Sequence, residues 1–177
     1  LDGDASAVHV GDLVAGRYRI SGVLGRGGFG AVYQAEHTGT RQQVAIKMML
    51  SDDAGGSEEE VRRFFREAQI TAALRHPNTV RVFDVGQTDA GALFIAMEML
   101  HGDTLEKSLR DFSSDGQVMK EQQVVSVAIP ILRSLSEAHN RGLVHRDLKP
   151  ANVMLTRLHA DMDGQDDDED EVIVKVL

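Results

Sequence analysis

The sequence has 177 residues, 42% hydrophobic and 27% charged with only three prolines, enough to bury a core as one domain or two small lobes. No apolar run approaches the roughly 20 residues of a membrane span, and the absence of cysteine excludes disulfides and thiolate metal sites, which fits a reducing, cytoplasmic setting. The net charge of −9 argues against a nucleic-acid-binding surface, and it is concentrated: residues 161–171 hold eight acids and no Lys or Arg, leaving −1 for the rest.

Residues 1–12 read as a leader of mixed composition without a signal-peptide pattern. Leu1 is not an initiator methionine, so the chain is expected to start inside a longer one. Arg17–Leu24 alternates as a strand and runs into Gly25-Arg-Gly-Gly-Phe-Gly30. Gly25, Gly27 and Gly30 form a G-x-G-x-x-G pattern, whose glycines let backbone N–H groups approach phosphates closely. A dinucleotide-binding site would need a helix directly after them. Ala31–Glu36 is strand-like instead and leads to a Thr38-Gly39-Thr40 turn, so the pattern reads as a glycine-rich hairpin. Gln43–Leu50 is the next strand; within it Ala45 and Lys47 share a face because strand side chains alternate. The small Ala45 leaves room for a flat ring, and Lys47 can reach phosphates.

Asp52–Gly56 is a linker, and Ser57 with Glu60 has capping-box spacing. The helix that follows is expected to reach about Arg75 and stop at His76-Pro77, with Val61, Phe64, Phe65, Ala68 and Ala72 on its apolar face and Glu67 beside it. Val80–Val85 and Leu93–Glu98 read as two strands. Thr104–Phe112 reads as a short helix. Glu121–Arg141 reads as a long one, with Val124, Val125, Ala128, Leu132, Leu135 and Ala138 on one stripe and Gly142 at its end. Pro130 implies a kink there or irregular first turns.

The next stretch is His145-Arg-Asp-Leu-Lys-Pro-Ala-Asn152, before a short strand Val153–Leu155. Its spacing suits phosphoryl transfer. Asp147 can orient a hydroxyl and take its proton, Lys149 can neutralise charge on the moving group, and the Asn152 oxygen can bind magnesium. Asp161–Glu171 breaks the EF-hand spacing and reads as a solvated insert, and Val172–Leu177 is a final strand.

Taken in order, these segments resemble the eukaryotic-type (Hanks-type) protein kinases, most like the bacterial serine/threonine enzymes, over nearly everything after Val10. The resemblance implies an α+β, bilobal fold. Residues 13–100 would form an N-lobe with a five-stranded antiparallel sheet and one large helix. Residues 101–177 would form the hinge and part of a helical C-lobe, truncated just before the Asp-Phe-Gly triplet. It implies ATP and Mg2+ as cofactors and protein Ser/Thr hydroxyls as substrates. Leu24, Gly25, Gly27, Gly28, Gly30, Val32, Ala45 and Lys47 would hold the nucleotide, with Glu67 pairing to Lys47. Met97 would be the gatekeeper, the Glu98 carbonyl and the Leu100 amide would meet the adenine edge, and Met154 would form the floor. Asp147 and Lys149 would be catalytic, Asn152 a magnesium ligand, and His145 a structural histidine holding the loop. Arg146 would mark regulation by activation-loop phosphorylation. Lys47 and Asp147 would then face one nucleotide-sized cleft. The 177 residues alone are expected to be inactive. The rival readings are a nucleotide-binding pseudokinase or truncated remnant, and a small-molecule kinase, against which Lys149 argues.

Overall fold

The computed structural model describes residues 8–27, 30–49, 58–114, 116–157 and 172–177. Gly28, the Ser57 cap and the acidic run 161–171 lie outside the described residues, as does the side chain of Glu67, whose backbone lies in a helix. The chain divides into two compact units, Leu1–Ala73 with Arg81–Met99, and Leu74–Val80 with Leu100–Leu177. Among the described residues no helix is long and apolar enough to cross a membrane.

The first unit is an antiparallel sheet with one helix. Its strands are β1 (Leu13–Val14), β2 (Tyr18–Gly27), β3 (Gly30–His37), β4 (Gln43–Met49), β5 (Val82–Gln87) and β6 (Leu93–Glu98), in the order β1-β2-β3-β4-β6-β5. The sheet has six strands rather than five, because the first two residues of the expected N-lobe, Leu13 and Val14, pair with Arg19 and Tyr18 as a further strand. Alternation sorts the side chains onto two faces. Ile20, Tyr33, Ala35, Val44, Ile46, Phe94 and Ala96 fill one face and are almost fully buried. Each large apolar side chain buried this way contributes about 1.5–3 kcal/mol. The sheet curls so that its two ends meet: Asp84 on β5 accepts hydrogen bonds from Arg17 Nε and from the Tyr18 hydroxyl, both 2.9 Å.

Helix α1 (Glu58–Ala72) packs near β5. It ends three residues before the expected Arg75, and β5 begins at Val82 rather than Val80. Both differences have one cause: Leu74–Val80 belongs to the second unit and is held there by its own hydrogen bonds. The Val80 N–H donates to the Val176 carbonyl, and Val176 N–H donates back to Asn78.

The second unit holds a three-stranded sheet in the order β7-β8-β9, from β7 (Gly102–Thr104), β8 (Val153–Arg157) and β9 (Val172–Val176). The short helix expected from Thr104 begins one residue later as α2 (Leu105–Ser114), since Thr104 closes β7 and caps the helix with its hydroxyl, which accepts the Lys107 N–H at 3.2 Å. Helix α3 (Glu121–Asn140) runs through Pro130 without a break, and Gly142 ends it in the left-handed conformation, φ +74°. Its expected apolar stripe is buried only in part: Val124, Val125 and Leu132 are exposed, Ala128 and Leu135 half-buried and Ala138 buried, and Ser134, off the stripe, is buried with it. Ser134 shares a 2.7 Å hydrogen bond with Thr79, so this side of α3 receives the 74–80 segment through polar contacts.

Candidate active site

The expected site residues fall into two sets, one in each unit. In the first unit the ladder register decides which side chains share a face. Val32 pairs with Lys47, Ala45 with Met97, and Lys47 with Ile95. Cross-strand partners point the same way, so Val32, Ala45, Lys47, Ile95 and Met97 stand together on the sheet face opposite the apolar core. Lys47 lines a cavity of about 240 Å3 there, with Met49, Phe64, Ala68, Thr71, Val82 and Ile95. Phe64, Ala68 and Thr71 mark the stripe of α1 that turns to this cavity.

The glycine pattern splits into two kinds of position. Gly30 has φ +140°, and a Cβ there would stand 2.0 Å from the Met48 carbonyl oxygen, so β3–β4 pairing itself demands glycine. Gly25 and Gly27 meet nothing within 4 Å, so packing does not demand them. Leu24, beside them, is about half exposed. Glu98 ends β6; its N–H donates to the Arg81 carbonyl at 2.9 Å, and its carboxylate accepts the Arg81 N–H at 2.8 Å.

In the second unit the His145–Asn152 loop is knit from within. The Asp147 N–H donates to the His145 carbonyl at 2.8 Å, and Arg146 between them has φ +61°, an uncommon conformation for a non-glycine residue. Lys149 Nζ lies 2.8 Å from Asp147 Oδ2. The Asn152 side-chain amide donates to both the carbonyl (2.8 Å) and Oδ2 (3.0 Å) of Asp147. The Lys149 ammonium holds the Asp147 carboxyl below the ordinary aspartate range, against burial, and the Asn152 amide adds to the pull. The Asp147 carboxylate therefore stays ionised and able to accept a proton at neutral pH.

His145 acts as a strut. Its Nε2 donates to the Leu177 carbonyl at 2.8 Å, which ties the loop to the chain end of β9. Leu177 N–H donates in turn to the Asn152 carbonyl at 3.0 Å. Met154 is half-buried on β8, paired with Thr104 and Lys175, and Leu100, also half-buried, opens the second unit's stretch. Sequence reasoning missed Glu137, whose carboxylate accepts the N–H groups of Arg75 (3.2 Å) and His76 (2.8 Å).

The family model of the protein kinase domain matches residues 18–163. The chain belongs to the protein kinase domain family. Among relatives of this kinase-family chain, it is 40% identical over 151 residues to the serine/threonine-protein kinase pkn3 of Myxococcus xanthus, covering 83% of this chain and 26% of that one. It is 41% identical over 147 residues to a probable serine/threonine-protein kinase of Streptomyces coelicolor, covering 81% and 21%. It thus spans about a quarter of the length of these relatives. The crystal structure of the Mycobacterium tuberculosis PknI kinase domain superposes with a TM-score of 0.74 at 35% identity, covering 85% of this chain and 58% of that one. The bilobal kinase fold expected from the sequence is therefore the fold of this chain.

Proposed function

We propose that this chain supplies the nucleotide-binding and catalytic-loop portion of an ATP-dependent serine/threonine protein kinase. The observation that carries the reading is the Asp147–Lys149–Asn152 arrangement, with an ionised carboxylate, an ammonium 2.8 Å away and an amide that donates to the Asp147 main-chain carbonyl and to its Oδ2. In this reading Lys47 and Asp147 serve the same nucleotide. Ala45, Val32, Met97 and Met154 border the base, the Glu98 carbonyl and the Leu100 amide meet its edge, and the backbone around Gly25, Gly27, Gly28 and Gly30 follows the phosphates. Glu67 positions Lys47.

Asp147 accepts the proton of a protein Ser or Thr hydroxyl as that oxygen bonds to the γ-phosphorus and the bond to the ADP oxygen breaks. Lys149 leaves the Asp147 oxygen to neutralise the transferring group. Magnesium supplies charge neutralisation along the phosphates when bound. Asn152 fits that ion, because its nitrogen end is committed to Asp147 and its oxygen end is the hard donor such a cation takes. Positioning and electrostatics carry most of the rate in this chemistry, so each group matters in its place.

The test supplies the full-length protein with Mg-ATP and a generic basic protein substrate. Transfer of labelled phosphate to Ser or Thr is expected, with D147N slower by about 10²–10⁴-fold. A wild-type protein that binds ATP and transfers nothing, no differently from D147N, would overturn the kinase reading in favour of a nucleotide-binding scaffold.

A further inference from the structure

Met49 closes β4 on the same face as Lys47. Strand residues two apart stand on one side, about 6.6 Å from each other, and both line the cavity of about 240 Å3 together with Phe64, Ala68 and Ile95. The thioether is half-buried. Its register partner on β3 is Gly30, which has no side chain to lay over it. Met48 offers the contrast: it turns to the opposite face, joins the apolar core and is only 7% exposed. The 177 residues contain seven methionines and no cysteine, so methionine is their only sulfur open to oxidation. An oxidant reaches a sulfur through the solvent around it, so Met49 is open to attack and Met48 is shielded.

We propose that Met49 is a redox modification site: a hydroperoxide converts its thioether to the sulfoxide, which sets an acceptor oxygen beside the Lys47 ammonium and lowers nucleotide affinity. The inference rests on the nucleotide-site reading above and deepens it by adding regulation to the same site. The step is a two-electron oxygen transfer. A lone pair on Met49 Sδ attacks one peroxide oxygen, the O–O bond breaks and the S–O bond forms. With hydrogen peroxide, the proton on the attacked oxygen passes to the other oxygen, which leaves as water. Sulfur is oxidised and the peroxide reduced. The product is polar and chiral where the thioether was apolar and flexible. Among the described residues Lys47 is the cation that lines this cavity, and hydrogen bonds to charged groups are the strong class. An ammonium held by the sulfoxide oxygen is drawn away from the phosphates. Reduction to the thioether releases it.

The experiment treats the wild-type full chain, M49L and M49I with hydrogen peroxide and measures Mg-ATP affinity before and after, by competition with a fluorescent nucleotide. Peptide mass spectrometry reads the oxygen gained at each methionine, and circular dichroism melting reports that every sample is folded. Met49 is expected to gain oxygen ahead of Met48, and the treated wild type to lose at least about fivefold in affinity. The two methionine sulfoxide reductases, one for each epimer, are expected to restore it. M49L and M49I, each compared with itself, are expected to keep their affinity through the treatment; M49I gives the answer if M49L does not fold. A Met49 that oxidises no faster than Met48 overturns the inference, as does a wild type oxidised at Met49 with unchanged affinity. A folded M49L or M49I that loses as much as the wild type overturns it too, and so does a loss that the reductases do not reverse. An untreated wild type that does not bind Mg-ATP overturns the nucleotide-site reading itself and the proposed effect with it. Oxidation at Met49 is still read by mass in that case, which tells the two failures apart.

Discussion

Asp84 shows how one side chain can close a sheet. Its Oδ2 accepts from Arg17 and from the Tyr18 hydroxyl, and the Tyr18 ring meets Phe94 edge-on at 6.0 Å. The carboxylate is about one quarter exposed and Arg17 nearly half, so solvent screens part of the attraction. D84A is expected to cost about 1–2 kcal/mol, read as a lower denaturation midpoint in urea, and Y18F less; a D84A midpoint equal to the wild type would show that the curl is held by apolar packing alone. The two kinds of glycine predict a second separation. G25A meets open space, so its stability is expected within about 0.5 kcal/mol of the wild type while nucleotide affinity falls. G30A forces a side chain against the Met48 carbonyl at φ +140° and is expected to lose more than about 2 kcal/mol. Equal thermal shifts for the two variants would contradict the distinction.

At the level of elements, the 74–80 segment governs where its neighbours begin and end. Asn78 donates to the Val174 carbonyl at 2.8 Å, Thr79 bonds Ser134, and Glu137 takes two successive N–H groups. A helix cannot continue through residues whose N–H groups are committed elsewhere, so α1 stops at Ala72. Burial pushes the Glu137 carboxyl up, but the N–H groups of Arg75 and His76, aided by Arg141, outweigh it and hold it below the ordinary glutamate range. A folded value below the unfolded one, about 4.3, means a stabilisation complete above the unfolded value. It is lost as pH falls through the folded one. The wild type is therefore expected to melt higher than E137Q above about pH 5, with the two curves converging toward pH 3. Parallel curves across that range would remove Glu137 from the account.

At the scale of the whole chain, burial is unequal. The apolar cluster of largely buried side chains lies within the first unit, whereas α2 has no buried residue. Amide exchange tracks the free energy of local opening, which rises with buried apolar contact. The amides of Ile46, Phe94 and Ala96 are expected to exchange at least about 10³-fold more slowly than those of α2, measured by hydrogen exchange with mass or NMR detection. Comparable rates would mean that the first unit's core does not dominate stability.

Much of this was legible in the linear chain because it is local. The His145–Asn152 loop is eight contiguous residues whose roles depend on spacing, and the alternation in β3, β4 and β6 places Ala45 with Lys47 before any fold is known. The Gly142 stop of α3 is likewise a property of one residue's backbone freedom. What the chain alone could not reveal depends on partners distant in sequence. Glu137 reads as one more solvated helix acid until Arg75 and His76, some sixty residues earlier, present their N–H groups to it. The buried side of α3 keeps Ala138 of the apolar stripe but adds Ser134, which Thr79 engages, and leaves Val124 and Leu132 exposed, so those two mislead. The Glu98 carboxylate carries no pattern at all, because the Arg81 N–H that it accepts comes from another strand end 17 residues away. Sequence determined the chemistry available and the local elements that carry it; tertiary structure decided which donors and acceptors are satisfied by one another, since a hydrogen bond is made or lost over distances that only the folded chain sets.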